Sequence, residues 1–128
     1  MMNLQYGLLI EKIRHEIRVI DNEKEHLDRV KRQTDRFADE IEDELHTRTR
    51  EAEHIYDYWR GDEARKCVNM MLDESINNAR QARVKVSIMY DNIEHYKSHL
   101  ELKRERLENE ITMLETQLKM NMGIWKIR

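Results

Sequence analysis

The spacing of apolar side chains constrains this chain more than any other feature. Along the first half they recur at alternating steps of three and four: Leu9, Ile13, Ile17, Ile20, Leu27, Val30, Thr34, Phe37, Ile41, Leu45, Ala52, Ile55 and Trp59, with Lys24 and Arg48 where the series skips. Such steps return to one face of an α-helix at every turn, and sustained over several heptads they point to a coiled-coil-like helix. The remaining faces are charged, as in Glu42-Asp43-Glu44, and read as solvated. With 38% charged residues, three glycines and no proline, the chain lacks the turn residues that a β or α/β domain needs. At 128 residues it holds one domain at most.

The second half repeats the pattern through Val68, Leu72, Ser75, Ala79, Ala82, Val86, Met89, Ile93, Tyr96, Leu100, Lys103, Leu107, Ile111, Leu114 and Leu118. Between the halves stands Gly61, the one glycine away from the chain ends, which takes a left-handed conformation without steric cost. Asp62 is placed to cap a new helix, with Glu63 in its first turn facing the positive end of the helix dipole. The expected fold is all-α: two long antiparallel helices in a coiled-coil-like hairpin, helix 1 over about 4–58, a turn at about 59–62, helix 2 over about 63–122 and a tail at 123–128. Trp59 would plug the closed end, and Ala64 would let the backbones approach. Folding at the turn sets Ile41 near Ala79, Phe37 opposite Ala82 to Val86, Ile20 near Leu100 and Ile13 near Leu107, so large residues meet small ones near the turn. A kink is open at residues 48–50, where the seam is polar, and around Gly7.

Helix 2 carries a second set of apolar residues off the seam: Met70, Val84, Ile88, Leu102, Met113 and Met120. A two-helix hairpin cannot cover both sets, and methionine suits adaptable helix packing. These six are therefore the candidate partner-binding residues. The expected product is a four-helix assembly, either a homodimer or a complex with a different helical protein.

Trp59-Arg60-Gly61, followed by the small Ala64 at the centre of a short, proline-free, two-helix sequence, resembles the Trp-x-Gly turn of the WXG family of type VII secretion proteins. That family consists of helical hairpins that Gram-positive bacteria export as dimers. The longer arms here are most similar to the small helical accessory proteins that accompany LXG-domain toxins. The resemblance implies a chaperone-like targeting factor that binds the helical N-terminal domain of an LXG-type toxin, or a WXG-type partner, and through that complex meets the secretion ATPase. Trp59, Gly61 and Ala64 would form the turn and recognition motif. It also implies a bacterial cytoplasmic location, with co-export as an extension. Many WXG-type substrates carry a Tyr-x-x-x-Asp/Glu signal near the C-terminus. The matching spacing here, Tyr90 with Glu94, lies deep in helix 2, a departure that leaves a partner to supply the signal. The alternative is a structural, self-associating antiparallel coiled coil with no role in secretion.

Other chemistry is not expected. Charges of both signs are interspersed to a net −3, without the basic stripe of a nucleic-acid binder. The apolar run near Met1 is too short for a secretory signal and has no basic leader, and no stretch reaches membrane-spanning length. A lone Cys67 excludes an internal disulfide and reads as a small buried hydrophobe. His95 and His99 share a helix face, with His26 opposite, yet no fourth ligand is placed, so no metal or cofactor is expected. A straight hairpin offers no enclosed pocket for catalysis, and the chain is read as no enzyme. Beyond Gly123, the tail with Trp125 is either frayed helix or a recognised docking peptide.

Overall fold

The computed structural model describes residues 2–123. It is all-α, with two long helices: α1 (Met2–His54) and α2 (Asp62–Asn121), joined through a short 3₁₀ turn at Ile55–Asp57. The described residues contain no strand, and no helix among them is long and apolar enough to cross a membrane. Helix α1 runs unbroken through Gly7 and through residues 48–50, the two places where a kink was open.

The connection begins earlier than the spacing predicts, and α1 is correspondingly shorter. Helix α1 ends at His54, and the 3₁₀ turn tightens behind it. The Trp59 amide donates to the Ile55 carbonyl at 2.9 Å, which occupies one of the carbonyls that a helix end leaves open. Gly61 then takes φ +108°, the left-handed conformation for which glycine is suited. Its carbonyl accepts the Arg65 amide at 3.0 Å, so Gly61 itself stands in the cap position of α2. Asp62 was expected there, but it is the first helical residue instead, and its carboxylate accepts from Arg65 at 2.7 Å. Trp59 is 43% exposed and does not plug the hairpin end. Ala52 and Ala64 flank the turn with no exposure at all, and Val68 is buried beyond them. Alanine is small enough to leave no gap where two helices close on a turn.

The chain packs as two compact units. The turn unit spans Val30–Ile93, and the terminal unit combines Met1–Arg29 with Glu94–Arg128. In the terminal unit Ile13, Ile20, Leu100 and Leu107 form one buried cluster, with Ile17, Leu27, Ile111 and Leu114 packed against it. In the turn unit the cluster is Ile41, Ala79 and Val86, backed by Ala38, Leu45, Ala82 and Tyr90. Both contain the seam pairs that the spacing predicts. Thr34 is buried in the seam, and its hydroxyl donates to the Val30 carbonyl at 2.9 Å, which satisfies the only polar side chain in the core of the described residues.

The spacing misplaces some flanking positions. Ile10 is buried and Leu9 is not, while Met89 and Tyr96 are exposed. On α2 the step from Val86 runs four residues to Tyr90, then three to Ile93, and likewise through Lys97 to Leu100 and Arg104 to Leu107. Tyr90, Lys97 and Arg104 are accordingly half-buried. Their long stems lie along the seam while their polar heads reach across to acids on α1, an arrangement that suits amphipathic side chains.

Two substitutions check this seam. Leu100→Ala should destabilise the chain by about 3 kcal/mol in urea unfolding followed by circular dichroism, because it empties a buried site. Leu102→Ala, two residues along on an exposed face, should change stability by less than about 0.5 kcal/mol. At the turn, an added Cβ on Gly61 meets nothing within 4 Å. Gly61→Ala should therefore cost about 1 kcal/mol from backbone conformation alone.

Candidate partner-binding surface

The two flanks of the seam differ in chemistry. On one flank, acids of α1 meet donors of α2 in a repeating ladder. In the terminal unit Asp21 accepts from Arg104 at 2.8 Å, and Asp28 pairs with Lys97 at 2.7 Å. In the turn unit Glu42 takes a two-pronged contact from Arg83 at 2.7 and 2.8 Å, and Asp35 accepts from the Tyr90 hydroxyl. The acids at 21, 28, 35 and 42 and the donors at 83, 90, 97 and 104 each recur every seven residues. Two helical turns bring each back to the same face, and running one series forward against the other backward is the signature of antiparallel helices. Reading all charged residues as a solvated face overlooked this ladder, although its period is visible in the sequence. Further contacts in the terminal unit join Lys24 to Glu101, Arg14 to Glu115 at 3.2 Å, and the Tyr96 hydroxyl to Glu23 at 3.3 Å.

These contacts shift the titrations in the expected directions. The hydrogen bond from Arg83 holds the Glu42 carboxyl below its ordinary range, and Lys24 does the same to Glu101. Arg83, Lys97 and Arg104 move upward through their bonds to Glu42, Asp28 and Asp21. Tyr90 also moves upward, since Asp35 accepts the proton that the phenol would have to lose.

On the other flank the turn unit is open. Glu42 and Glu44 leave α1 on opposite sides of Ile41, by the 100° advance per residue. On the Glu44 side a groove of about 560 Å³ lies between the helices. Phe37, Ile41, Leu45, Met71, Ala79 and Ala82 supply its apolar lining, and Glu40, Glu44, Arg48 and Glu74 its charged lining. The cause is a mismatch in size. Ser75, Ala79 and Ala82 are small side chains along the α2 side, and Phe37, at one end of the groove, remains 42% exposed rather than closing over it. The expected meeting of large and small residues occurs, but it leaves a trough.

The six off-seam residues all point away from the core. Met70 and Met113 are 73% exposed, and Val84, Ile88, Leu102 and Met120 are all more than half exposed. Met70, Val84 and Ile88 belong to the turn unit, and Leu102, Met113 and Met120 to the terminal unit. None of the six lines the groove. Sequence reasoning identified the exposed apolar side chains of α2 but missed the hollow, because a hollow depends on which side chains of two helices lie side by side.

Other expected features fall as follows. Tyr90 is engaged with Asp35 inside the turn unit, and Glu94 also has an interaction partner, so neither side chain of the export-signal-like spacing projects freely from α2. Cys67 is half-buried as a free thiol, less enclosed than a core position would be. No group of three or more His, Cys, Asp or Glu among the described residues is arranged to hold a metal ion. The tail with Trp125 lies outside the described residues.

Comparison with models of known protein families, with curated proteins and with solved structures finds no match to this chain.

The ion pairs across the seam, Glu42 with Arg83 and Glu101 with Lys24, predict an acid-sensitive fold. Glu42 and Glu101 have lowered folded-state pKa values, so their contribution is complete above the ordinary carboxylate pKa and is lost as pH falls through the lowered folded values. The urea midpoint should hold steady from neutrality down to about pH 5 and then fall. Glu42→Arg and Arg83→Glu should each lower the melting temperature, and the charge-swapped double variant should recover most of the loss. In about 1 M NaCl the differences should shrink, as screening of exposed pairs requires.

Proposed function

We propose that this chain is a non-enzymatic targeting factor of bacterial type VII secretion, which binds the helical N-terminal domain of an LXG-type toxin or a WXG-type protein and promotes its export. The observation that carries the partner-binding part is the exposed apolar set on α2 together with the open groove of the turn unit. Apolar surface left beside a narrow seam favours another helix as its cover. The secretion part rests on the resemblance of Trp59-Arg60-Gly61 to the Trp-x-Gly turn. It gains support from Gly61 having the positive φ such a turn uses, and from Trp59 being half exposed beside it. A tryptophan that is not consumed in packing is available for recognition. On this reading the protein acts in the bacterial cytoplasm, leaves the cell if at all with its cargo, and meets the secretion ATPase through the complex.

The same exposed residues also serve the competing reading, a structural coiled coil that pairs with itself. Affinity capture of the tagged chain from its native cells, with mass spectrometry of what is retained, separates the two. Recovery of an LXG-type or WXG-type protein in a stable complex is expected, and recovery of the chain alone as a dimer would favour the structural reading. Trp59→Ala is expected to leave helicity and melting nearly unchanged while abolishing cargo export. Normal export by the folded variant would sink the role given to the turn.

A further inference from the structure

The groove of the turn unit has a shape and a charge that specify what fits it. Its lining positions run from Phe37 through Ile41 and Glu44 to Arg48 on α1, and back from Ala82 through Ala79 and Ser75 to Met71 on α2. Eleven or so residues of each helix give a trough about 16 Å long, at 1.5 Å per residue. That is the length of three helical turns, more than a compact small molecule spans. The floor is apolar, and both banks carry carboxylates: Glu40 and Glu44 on α1, Glu74 on α2. Arg48 is the one cation lining it, and it is already bonded to Glu44 at 2.8 Å. Its guanidinium is held protonated by Glu44 foremost, with Glu51 and Glu74 adding to the negative field.

We infer that this trough seats one amphipathic helix of a partner protein, with apolar residues at i, i+3 or i+4 and i+7 along the floor and Lys or Arg on both flanks against Glu40, Glu44 and Glu74. Complementary charge is what fixes the flanks of the incoming helix. A second copy of this chain is a poor occupant by the same rule, since groove facing groove sets like carboxylates together. The inference rests on the partner-binding reading and names the partner's chemistry; it does not depend on the secretion assignment.

The test uses two fluorescein-labelled synthetic helices of about 18 residues, long enough for marginal helicity in water. They share one Leu/Ala stripe and differ only in flanks of Lys or Glu. Fluorescence anisotropy against the full chain should show the Lys-flanked peptide binding at least tenfold tighter at low salt, an advantage that narrows in about 0.5 M NaCl. Glu40→Lys combined with Glu74→Lys, both at exposed rim positions, should invert the preference, and Phe37→Asp should weaken both peptides at least tenfold. Equal binding of the two peptides would overturn the inference. So would a preference that survives the charge reversal, or sedimentation showing that Phe37→Asp dissolves a dimer of this chain. Any of these results alongside capture of a helical cargo by the unaltered chain would reject the groove as the docking site and leave the partner-binding reading standing.

Discussion

The apolar side chains that recur at every third and fourth position of α1 and α2 exclude water by facing each other along a narrow strip. Everything else in the structure is arranged around that burial. In the terminal unit the strip is built from branched aliphatics, Ile13 and Ile20 with Leu100 and Leu107. Each such side chain contributes roughly 1.5–3 kcal/mol when buried. In the turn unit the α2 side is largely alanine, at Ala79 and Ala82, and the strip there is correspondingly lean. A lean seam brings helices close but fills less volume, and the groove beside Phe37 is the direct consequence.

Polar contacts complement the seam without replacing it. Exposed ion pairs add little to stability, so the ladder from Asp21 to Glu42 acts chiefly on alignment. Sliding one helix past the other by a heptad would return apolar residues to apolar residues along much of the seam. The same slip would set Asp35 against Arg83 or Lys97, again a donor, so the ladder opposes shifts of less than a heptad but not a whole one. The turn supplies the fix on the whole heptad, since Gly61 takes its positive φ at one position only. Seam, ladder and turn therefore agree on a single register, and that agreement distinguishes a defined hairpin from an interchangeable pair of amphipathic helices.

The two flanks of the turn unit differ in how far they are bridged. In the turn unit one flank is bridged by Glu42 with Arg83 and Asp35 with Tyr90 beside a small hollow of about 200 Å³, while the other opens into the larger groove with an apolar floor and acidic banks. Long helices with one flank satisfied and one unsatisfied are suited to adding a further helix from one side. A partner that completes a bundle requires no pocket chemistry, no bound ion and no rearrangement of the seam. The proposed partner-binding role rests on this one-sided incompleteness, and the proposed link to export rests on the resemblance of Trp59-Arg60-Gly61 alone.

The fold class, the two helices and the place where they turn are legible in the amino-acid sequence alone. Each follows from local rules: steps of three and four residues, the absence of proline, and a glycine followed by two acids. The sequence likewise marked Met70, Val84, Ile88, Leu102, Met113 and Met120 as lying off the seam, since helical period alone decides which face a residue occupies. The sequence also contained the ladder, but pairing acids at one heptad series with donors at another requires knowing the register, and solvated charge looks the same along a single helix. That Tyr90, Lys97 and Arg104, rather than Met89, Tyr96 and Lys103, lean into the seam emerges only when the two helices are packed together. The same holds for Gly61 capping α2, for Trp59 staying half exposed, and for Phe37 standing beside a hollow instead of filling it. Each of these depends on the volumes and reach of side chains from two helices meeting at one point, and a period read along one helix carries no information about the other.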